Sequence, residues 1–208
     1  MKKTFILLAG ALMAAACKVD GGDWSSTNYE YSIRAYFEIF THIIPEQCIL
    51  PIRTGIENGN IPAHVTTDFY VIPAFDIQSV APNHWQVEFQ GQTSYSYSQD
   101  NGYPTRFSLD IRRTDPENDR WSYDMTLDRE EDNGYSLHYE TTGAKVWFTP
   151  VQTTSADTYR TNFSGNFHID FFRNGKQIDY ADWSVDADGK MSEITTKQST
   201  RLKTTGYF

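Results

Sequence analysis

The chain has 208 residues, 15% of them aromatic, and a formal net charge of -9 at pH 7. Nucleic acid is held mainly by Lys and Arg that neutralise phosphates, so this acidic balance argues against it as a partner, and equally against an electrostatic hold on anionic lipid. The length suits a single all-β domain with a sizeable hydrophobic core.

The first seventeen residues have the order of a secretory signal. Lys2 and Lys3 form a basic start, residues 5–13 are mostly apolar, and Ala14 to Ala16 are small residues directly before Cys17. The apolar run is about half of the ~20 residues that a spanning helix needs. The sequence therefore predicts a cleaved signal peptide, residues 1–16, and no permanent transmembrane helix.

The segment Leu12 to Cys17 resembles the lipobox of bacterial lipoproteins, in which the cysteine is acylated and becomes the mature N-terminus. The resemblance implies lipid on Cys17 and attachment to the bacterial outer membrane, on its periplasmic or cell-surface face. Lys18 to Asp23 is similar to the export tags of envelope lipoproteins in the Bacteroides group. Residues 17–26 then form the lipidated cysteine and a flexible tether. With Cys17 acylated, Cys48 has no disulfide partner and is expected to be a buried thiol.

Residues 27–208 are predicted to form one β-rich domain that begins with a helix at about 27–44. Thr27 and Glu30 make a capping box, and Pro45 is expected to end the helix. A strand stays an alternative, because further apolar residues widen the helical stripe. The stripe has a spacing of three and four residues and consists of Ile33, Tyr36, Phe37, Phe40 and Ile44.

From Thr67 onward, apolar residues alternate with polar ones, which predicts strands with one solvated face. Asn174-Gly175 and Asp188-Gly189 are typical of two-residue type I′ hairpins. Short turns between successive strands predict an antiparallel meander of about eight to ten strands. Such a meander is either closed as a barrel, which could be lipocalin-like, or folded as a sandwich. The clearest alternating segments are 85–89, 107–111, 121–127, 135–139 and 167–171.

No sequence motif of nucleotide binding, of a nucleophile elbow or of a zinc protease helix is present, so no catalytic residue and no cofactor is predicted. An acidic cluster, defined as Asp128, Glu130, Glu131 and Asp132, contains the residue type that glycoside hydrolysis uses, but acids crowded at a turn are typical of a solvated surface.

Two His-x-acid pairs have the residue types of a zinc site. The spacing of His138 and Glu140, and of His168 and Asp170, puts each pair on one strand face, and adjacent strands would bring the four together. These residues lie opposite the aromatics, so a solvated outer surface is the favoured interpretation and no metal is predicted. Asp186 to Gly189 resembles half of a calcium loop, but the positions needed for further ligands hold lysine, which favours a turn.

Tyr95, Tyr97 and Tyr103 are the candidate ligand-binding residues. They stand among small polar residues next to a Gln-Asp-Asn-Gly turn, and tyrosine rings are suited to stacking on sugars or lining a pocket for a hydrophobic molecule.

The sequence favours a non-catalytic, lipid-anchored envelope module that binds a glycan, a small hydrophobic molecule or another envelope protein. The alternatives are a glycan-acting hydrolase and a structural subunit of a surface appendage with Ile194 to Phe208 as an exchangeable strand.

Overall fold

The computed structural model describes residues 39–67, 72–93, 103–151, 158–192 and 195–196. The signal peptide, Cys17, the tether, the predicted helix start at Thr27, and Tyr95 and Tyr97 lie outside these residues. The described part is a mostly antiparallel β-sheet with one helical segment, which confirms the predicted fold class. The strands are β1 (His64–Thr66), β2 (Ala74–Ala81), β3 (His84–Thr93), β4 (Tyr103–Asp115), β5 (Arg120–Glu130), β6 (Tyr135–Val151), β7 (Thr158–Arg173), β8 (Lys176–Val185) and β9 (Thr195–Thr196).

The helical segment comprises a π-helical turn, Ile39–Ile43, and an α-helix, α1 (Ile44–Asn58). The predicted end at Pro45 is therefore wrong. Proline is favoured in the first turn of a helix because its fixed φ already suits the helix, so Pro45 stands at the start of α1 and not after it. The helix ends at Gly59, whose φ of 73° allows the left-handed cap, and Asn60 N–H donates to Gly55 O at 2.8 Å.

The nine strands form one sheet in sequence order, with every pair antiparallel. Among the described residues, β1 pairs only with β2 and β9 only with β8, so these short strands are the two edges. All five segments with the clearest alternation in the sequence lie within strands, namely β3 to β7.

The core lies on one face of the sheet, here called the inner face, against the helix. Burial of each large aliphatic or aromatic side chain there stabilises the fold by about 1.5–3 kcal/mol. Cys48 is buried as predicted, and burial raises the pKa of its thiol. One inner row crosses six strands through Val87, Leu109, Met125, Thr141, Phe167 and Trp183.

Two buried tyrosines fix the helix to the inner face. Tyr123 on β5 donates its hydroxyl hydrogen to the carbonyl of Thr41 at 3.0 Å, and Tyr139 on β6 donates to the carbonyl of Phe40 at 3.4 Å. Pro45 has no N–H to donate to the carbonyl four residues earlier, which is that of Thr41. The sheet thus supplies a donor where the helix lacks one.

The turns follow the sequence prediction in one case and depart from it in another. Asn174 and Gly175 both have positive φ, 50° and 76°, as a type I′ turn requires. At the second turn only Gly189 has positive φ, so the predicted two-residue type I′ hairpin is wrong. The carboxylate of Asp186 accepts hydrogen bonds from Asp188 N–H and Lys190 N–H, each at 2.9 Å, and stabilises a wider turn.

A β-bulge interrupts β6 near its middle. The register shifts on both sides of the strand, and Gly143 has a φ of 66°. The N–H of Gly143 donates to the Asp124 carboxylate on β5 at 2.6 Å. The bulge is thus held by a side chain of the neighbouring strand.

Candidate functional site

The inner face is filled by the core and the helix. Ile44, Ile49 and Ile52 of α1 are each at most 1% exposed and pack in the same cluster as the inner-face aromatics. Ligand pockets are concave and mostly apolar when they hold small hydrophobic molecules. The two grooves described below lie at the surface.

One surface cavity of about 740 Å³ lies on the outer face, at the end of the sheet where β3 joins β4 and β5 joins β6. We call it the rim groove. Its residues come from five consecutive strands, β3 to β7. Because neighbouring strands lie ~4.8 Å apart, the groove is roughly 19 Å long. The lining residues are Gln90, Gly91, Gln92, Pro104, Thr105, Arg106, Asp128, Arg129, Glu130, Ser136, Leu137, His138 and Phe172.

Two rows of outward-pointing side chains form the walls of the rim groove, because successive residues of a strand point to opposite faces. One wall follows the register Gln90, Arg106, Asp128 and His138 across four strands. The other wall contains Gln92 and Pro104, which pair in the β3–β4 register, and Glu130, Ser136 and Phe172, which are aligned across β5, β6 and β7.

The floor of the rim groove is strand backbone. Thr105, Arg129 and Leu137 are lining residues whose side chains are buried on the inner face, so they contribute main chain to the groove. Gly91 occupies the corresponding position in β3, opposite Thr105. The guanidinium of Arg129 lies 4.6 Å from the centre of the Tyr103 ring, and its Nε lies 3.7 Å from Glu131.

The charged groups of the walls are arranged in ion pairs. His138 Nδ1 lies 2.7 Å from Asp128 Oδ1, and Arg106 Nη2 lies 3.7 Å from Asp128 Oδ2. Asp128 is therefore held between a guanidinium and an imidazole from the two neighbouring strands. Glu130 supplies a further, exposed carboxylate on the opposite wall.

Several residues that the sequence singled out separately meet at this end of the sheet. Tyr103 begins β4 next to Pro104 of the groove, and Asp128 and Glu130 of the acidic cluster are in its walls. Asp132 begins a short 3₁₀ turn, Asp132–Gly134, between β5 and β6. The other two predicted tyrosines are in the β3–β4 connection, which lies outside the described residues.

The four candidate zinc ligands are on neighbouring strands, as that hypothesis requires. In the β6–β7 register His138 faces Asp170 and Glu140 faces His168. The ring nitrogens of the two histidines are used in ion pairs instead. For example, His168 Nδ1 lies 2.6 Å from Asp182, and its Nε2 lies 3.1 Å from Asp170. Across the described ranges, no group of three or more His, Cys, Asp or Glu side chains is arranged to hold a metal ion.

Cross-strand His–Asp pairing is a general feature of the outer face. Besides His138 with Asp128 and His168 with Asp182, His84 lies 2.8 Å from Asp110 and His64 lies 2.7 Å from Asp76. Partial burial lowers the pKa of His168, but hydrogen bonds to Asp182 and Asp170 outweigh this effect and raise it above its usual value. Sequence reasoning missed these pairs because they depend on the register between strands.

A second surface groove, of about 520 Å³, lies between α1 and β1. We call it the helix groove. Leu50, Pro51, Val65 and Tyr159 give it an apolar character, and amide side chains surround them. Arg53 lies nearby, with its guanidinium 4.9 Å from the Tyr159 ring centre and 5.2 Å from that of Phe148, so it ties the helix to β6 and β7.

Comparisons with protein-family models, with curated proteins and with solved structures gave no match. Among the described residues no helix combines the length and the apolar character needed to cross a membrane. Function must therefore be argued from the site itself.

Proposed function

We propose that the protein is a lipid-anchored, non-catalytic binding module of the bacterial outer membrane, and that it captures its ligand in the rim groove. The lipobox-like segment ending at Cys17 supports the anchor. The observation that carries the binding role is the rim groove itself, in which polar side chains from four strands, β3 to β6, converge on one surface with Phe172 of β7. The acidic surface argues against nucleic acid as the ligand.

The chemistry of the walls favours a polar ligand over a small hydrophobic one. Amide, guanidinium, carboxylate, imidazole and hydroxyl groups all line the groove. A hydrophobic molecule gains affinity by losing contact with water in an enclosed apolar pocket, and the inner face, where such a pocket would lie, is occupied by α1. A glycan or a polar surface of another envelope protein fits the groove better.

A glycan-acting hydrolase is the second candidate, because Asp128 and Glu130 rise from opposite walls of the groove. The two residues are neighbours on one face of β5, with Cα atoms roughly 6.8 Å apart. However, a glycosidase acid is desolvated so that it keeps its proton, whereas the Asp128 side chain is 53% exposed and Glu130 is exposed too. This exposure favours binding without catalysis.

The anchor is tested by the Cys17→Ser variant of the whole protein. We expect the wild type in the detergent-extracted membrane fraction and the variant in the soluble fraction or as an unprocessed precursor, because acyl chains on Cys17 supply the attachment. A processed Cys17→Ser protein that still needs detergent for extraction would contradict the lipid anchor.

The binding role is tested with envelope polysaccharides and with envelope proteins of known identity. The immobilised wild type should retain a ligand that an Arg106→Ala/His138→Ala variant loses, without releasing new reducing ends from the polysaccharides. Retention that is equal in both proteins would contradict the groove as the site. Release of reducing ends that stops in Asp128→Asn would establish the hydrolase instead.

A further inference from the structure

We propose that the rim groove binds a linear, electrically neutral oligosaccharide that lies across the strands, from β3 to β7. This inference rests on the proposed function and names the ligand class of that site. It depends on four properties of the groove: its shape, its hydrogen-bonding groups, its charge balance and the pairing of its floor.

The shape suits an extended chain. The groove includes two neighbouring rows of outward side chains, and it crosses five strands over roughly 19 Å. A compact small molecule would contact only part of that length. A linear chain of sugar rings can contact both rows from β3 to β6 and Phe172 on β7, so many modest contacts add up to a useful affinity.

The polar groups of the walls match a ligand rich in hydroxyls. Gln90 and Gln92 each offer two donors and an acceptor oxygen, and Arg106 offers a planar fork of donors. Asp128 and Glu130 accept only, so donors and acceptors are both present on each side of the channel. A sugar hydroxyl both donates and accepts, and therefore finds partners on either wall.

An apolar contact is available beside the polar ones. The Phe172 side chain is partly exposed at the β7 end of the groove, and Pro104 lies in the same wall. Aromatic faces stack on the apolar faces of sugar rings. Phe172 is thus the platform in the groove that sequence reasoning did not single out.

The charge balance argues against an anionic glycan. Arg106 is the exposed guanidinium of the walls, and it already faces Asp128 at 3.7 Å, while His138 faces the same carboxylate at 2.7 Å. Glu130 adds a further negative charge. A carboxylated or sulfated chain would meet two carboxylates, on a protein that is acidic overall.

The floor argues against a peptide as the occupant. Extended peptides are commonly held by main-chain hydrogen bonds to an unpaired strand edge. The middle of the groove lies on β4, β5 and β6, and each of these strands is paired on both sides. Their backbone groups are used within the sheet, so a peptide would find no strand to extend.

The test measures binding by calorimetry on the whole protein, purified in detergent. The probes are neutral linear gluco-, manno- and xylo-oligosaccharides, oligogalacturonate as an anionic chain, and an unstructured polar peptide. The groove variant is Arg106→Ala/His138→Ala. The matched control is Arg112→Ala/His64→Ala, which removes the same residue types from the outer face outside the groove, where they face Asp110 and Asp76 at 2.7 Å.

We expect at least one neutral oligosaccharide to bind the wild type, about tenfold more weakly to the groove variant, and within about twofold of wild type to the control, because hydrogen-bonding partners are lost only in the groove. Phe172→Ala should weaken binding and Phe172→Tyr should retain it. If the groove variant melts at a much lower temperature, Gln90→Ala/Gln92→Ala replaces it, since both side chains are exposed.

Three results would overturn the inference. Failure of every neutral oligosaccharide to bind the wild type is one, and equal binding by wild type and the groove variant is another. Oligogalacturonate or the peptide binding in preference to neutral chains, with loss in the groove variant, would overturn the neutral ligand while leaving the proposed binding module intact. Cleavage of the oligosaccharide would instead contradict the non-catalytic role.

Discussion

Replacement of Tyr123 by Phe tests how the sheet holds the helix. The Tyr123 side chain is fully buried, and its hydroxyl donates to the carbonyl of Thr41 at 3.0 Å. Burial raises the pKa of this phenol, so the hydroxyl keeps its proton and stays a donor over the whole working range of pH. The substitution removes the donor without removing the ring.

The substitution leaves a buried carbonyl without this donor, which should lower the free energy of unfolding by about 1–3 kcal/mol. For a chain of this size, that corresponds to a fall in melting temperature of about 2–12 °C. Tyr139→Phe removes a longer bond, 3.4 Å to the carbonyl of Phe40, and should cost less. The comparison separates the hydrogen bond from a general effect of removing a buried hydroxyl.

A double-mutant cycle with Pro45→Ala makes the test specific. Alanine at this position restores an N–H that can donate to the carbonyl of Thr41, so Tyr123→Phe should cost less in that background than in the wild type. Chemical denaturation measures all four proteins. If Tyr123→Phe left stability unchanged, or cost the same in both backgrounds, the proposed exchange of helix donor for sheet donor would be refuted.

Further consequences concern the outer face and the bulge. Asp182 and Asp170 raise the pKa of His168 in the folded protein, so this pairing stabilises the fold below the unfolded pKa of about 6.5 and is lost as pH rises through the folded pKa. Chemical denaturation across pH should therefore show a free energy of unfolding that declines above about pH 6.5, and His168→Gln should flatten that decline. Gly143→Ala should cost about 1 kcal/mol from its φ of 66° alone, because a Cβ there meets nothing within 4 Å, and Gly143→Asn should cost less in the same thermal melts. Addition of a chelator should leave the melting temperature unchanged, and a drop of several degrees would revive the zinc hypothesis for the outer-face histidines.

The sequence predicts most of the sheet, because alternation identifies which face of a strand is buried. Trp85, Leu109 and Tyr123 were assigned to an apolar face from alternation alone, and all three are in the core. The helix was predicted less well. The pattern interprets Pro45 as a stop, but proline is also common in the first turn of a helix, which is its place here.

The candidate site was only partly predictable. Tyr103, Asp128 and His138 were singled out separately, but that they meet at one end of the sheet, with Asp128 and His138 paired on its outer face, depends on the register between strands, which residue types do not reveal. Phe172 follows the inward-pointing Phe171, so alternation puts it on the outer face, but only the β6–β7 register shows that it aligns with Ser136 in the groove. Gln90 and Gln92 carried no signal at all.

The most direct test is to map the bound ligand by NMR, using the oligosaccharide that binds most tightly in calorimetry. Because the polar groups proposed to bind the ligand lie in the rim groove, we predict that the chemical shifts that change on binding belong to it, with Gln90, Arg106, Asp128, His138 and Phe172 among the most affected. Changes centred on the buried residues of α1, or on the helix groove around Leu50 and Tyr159, would contradict binding at the outer face.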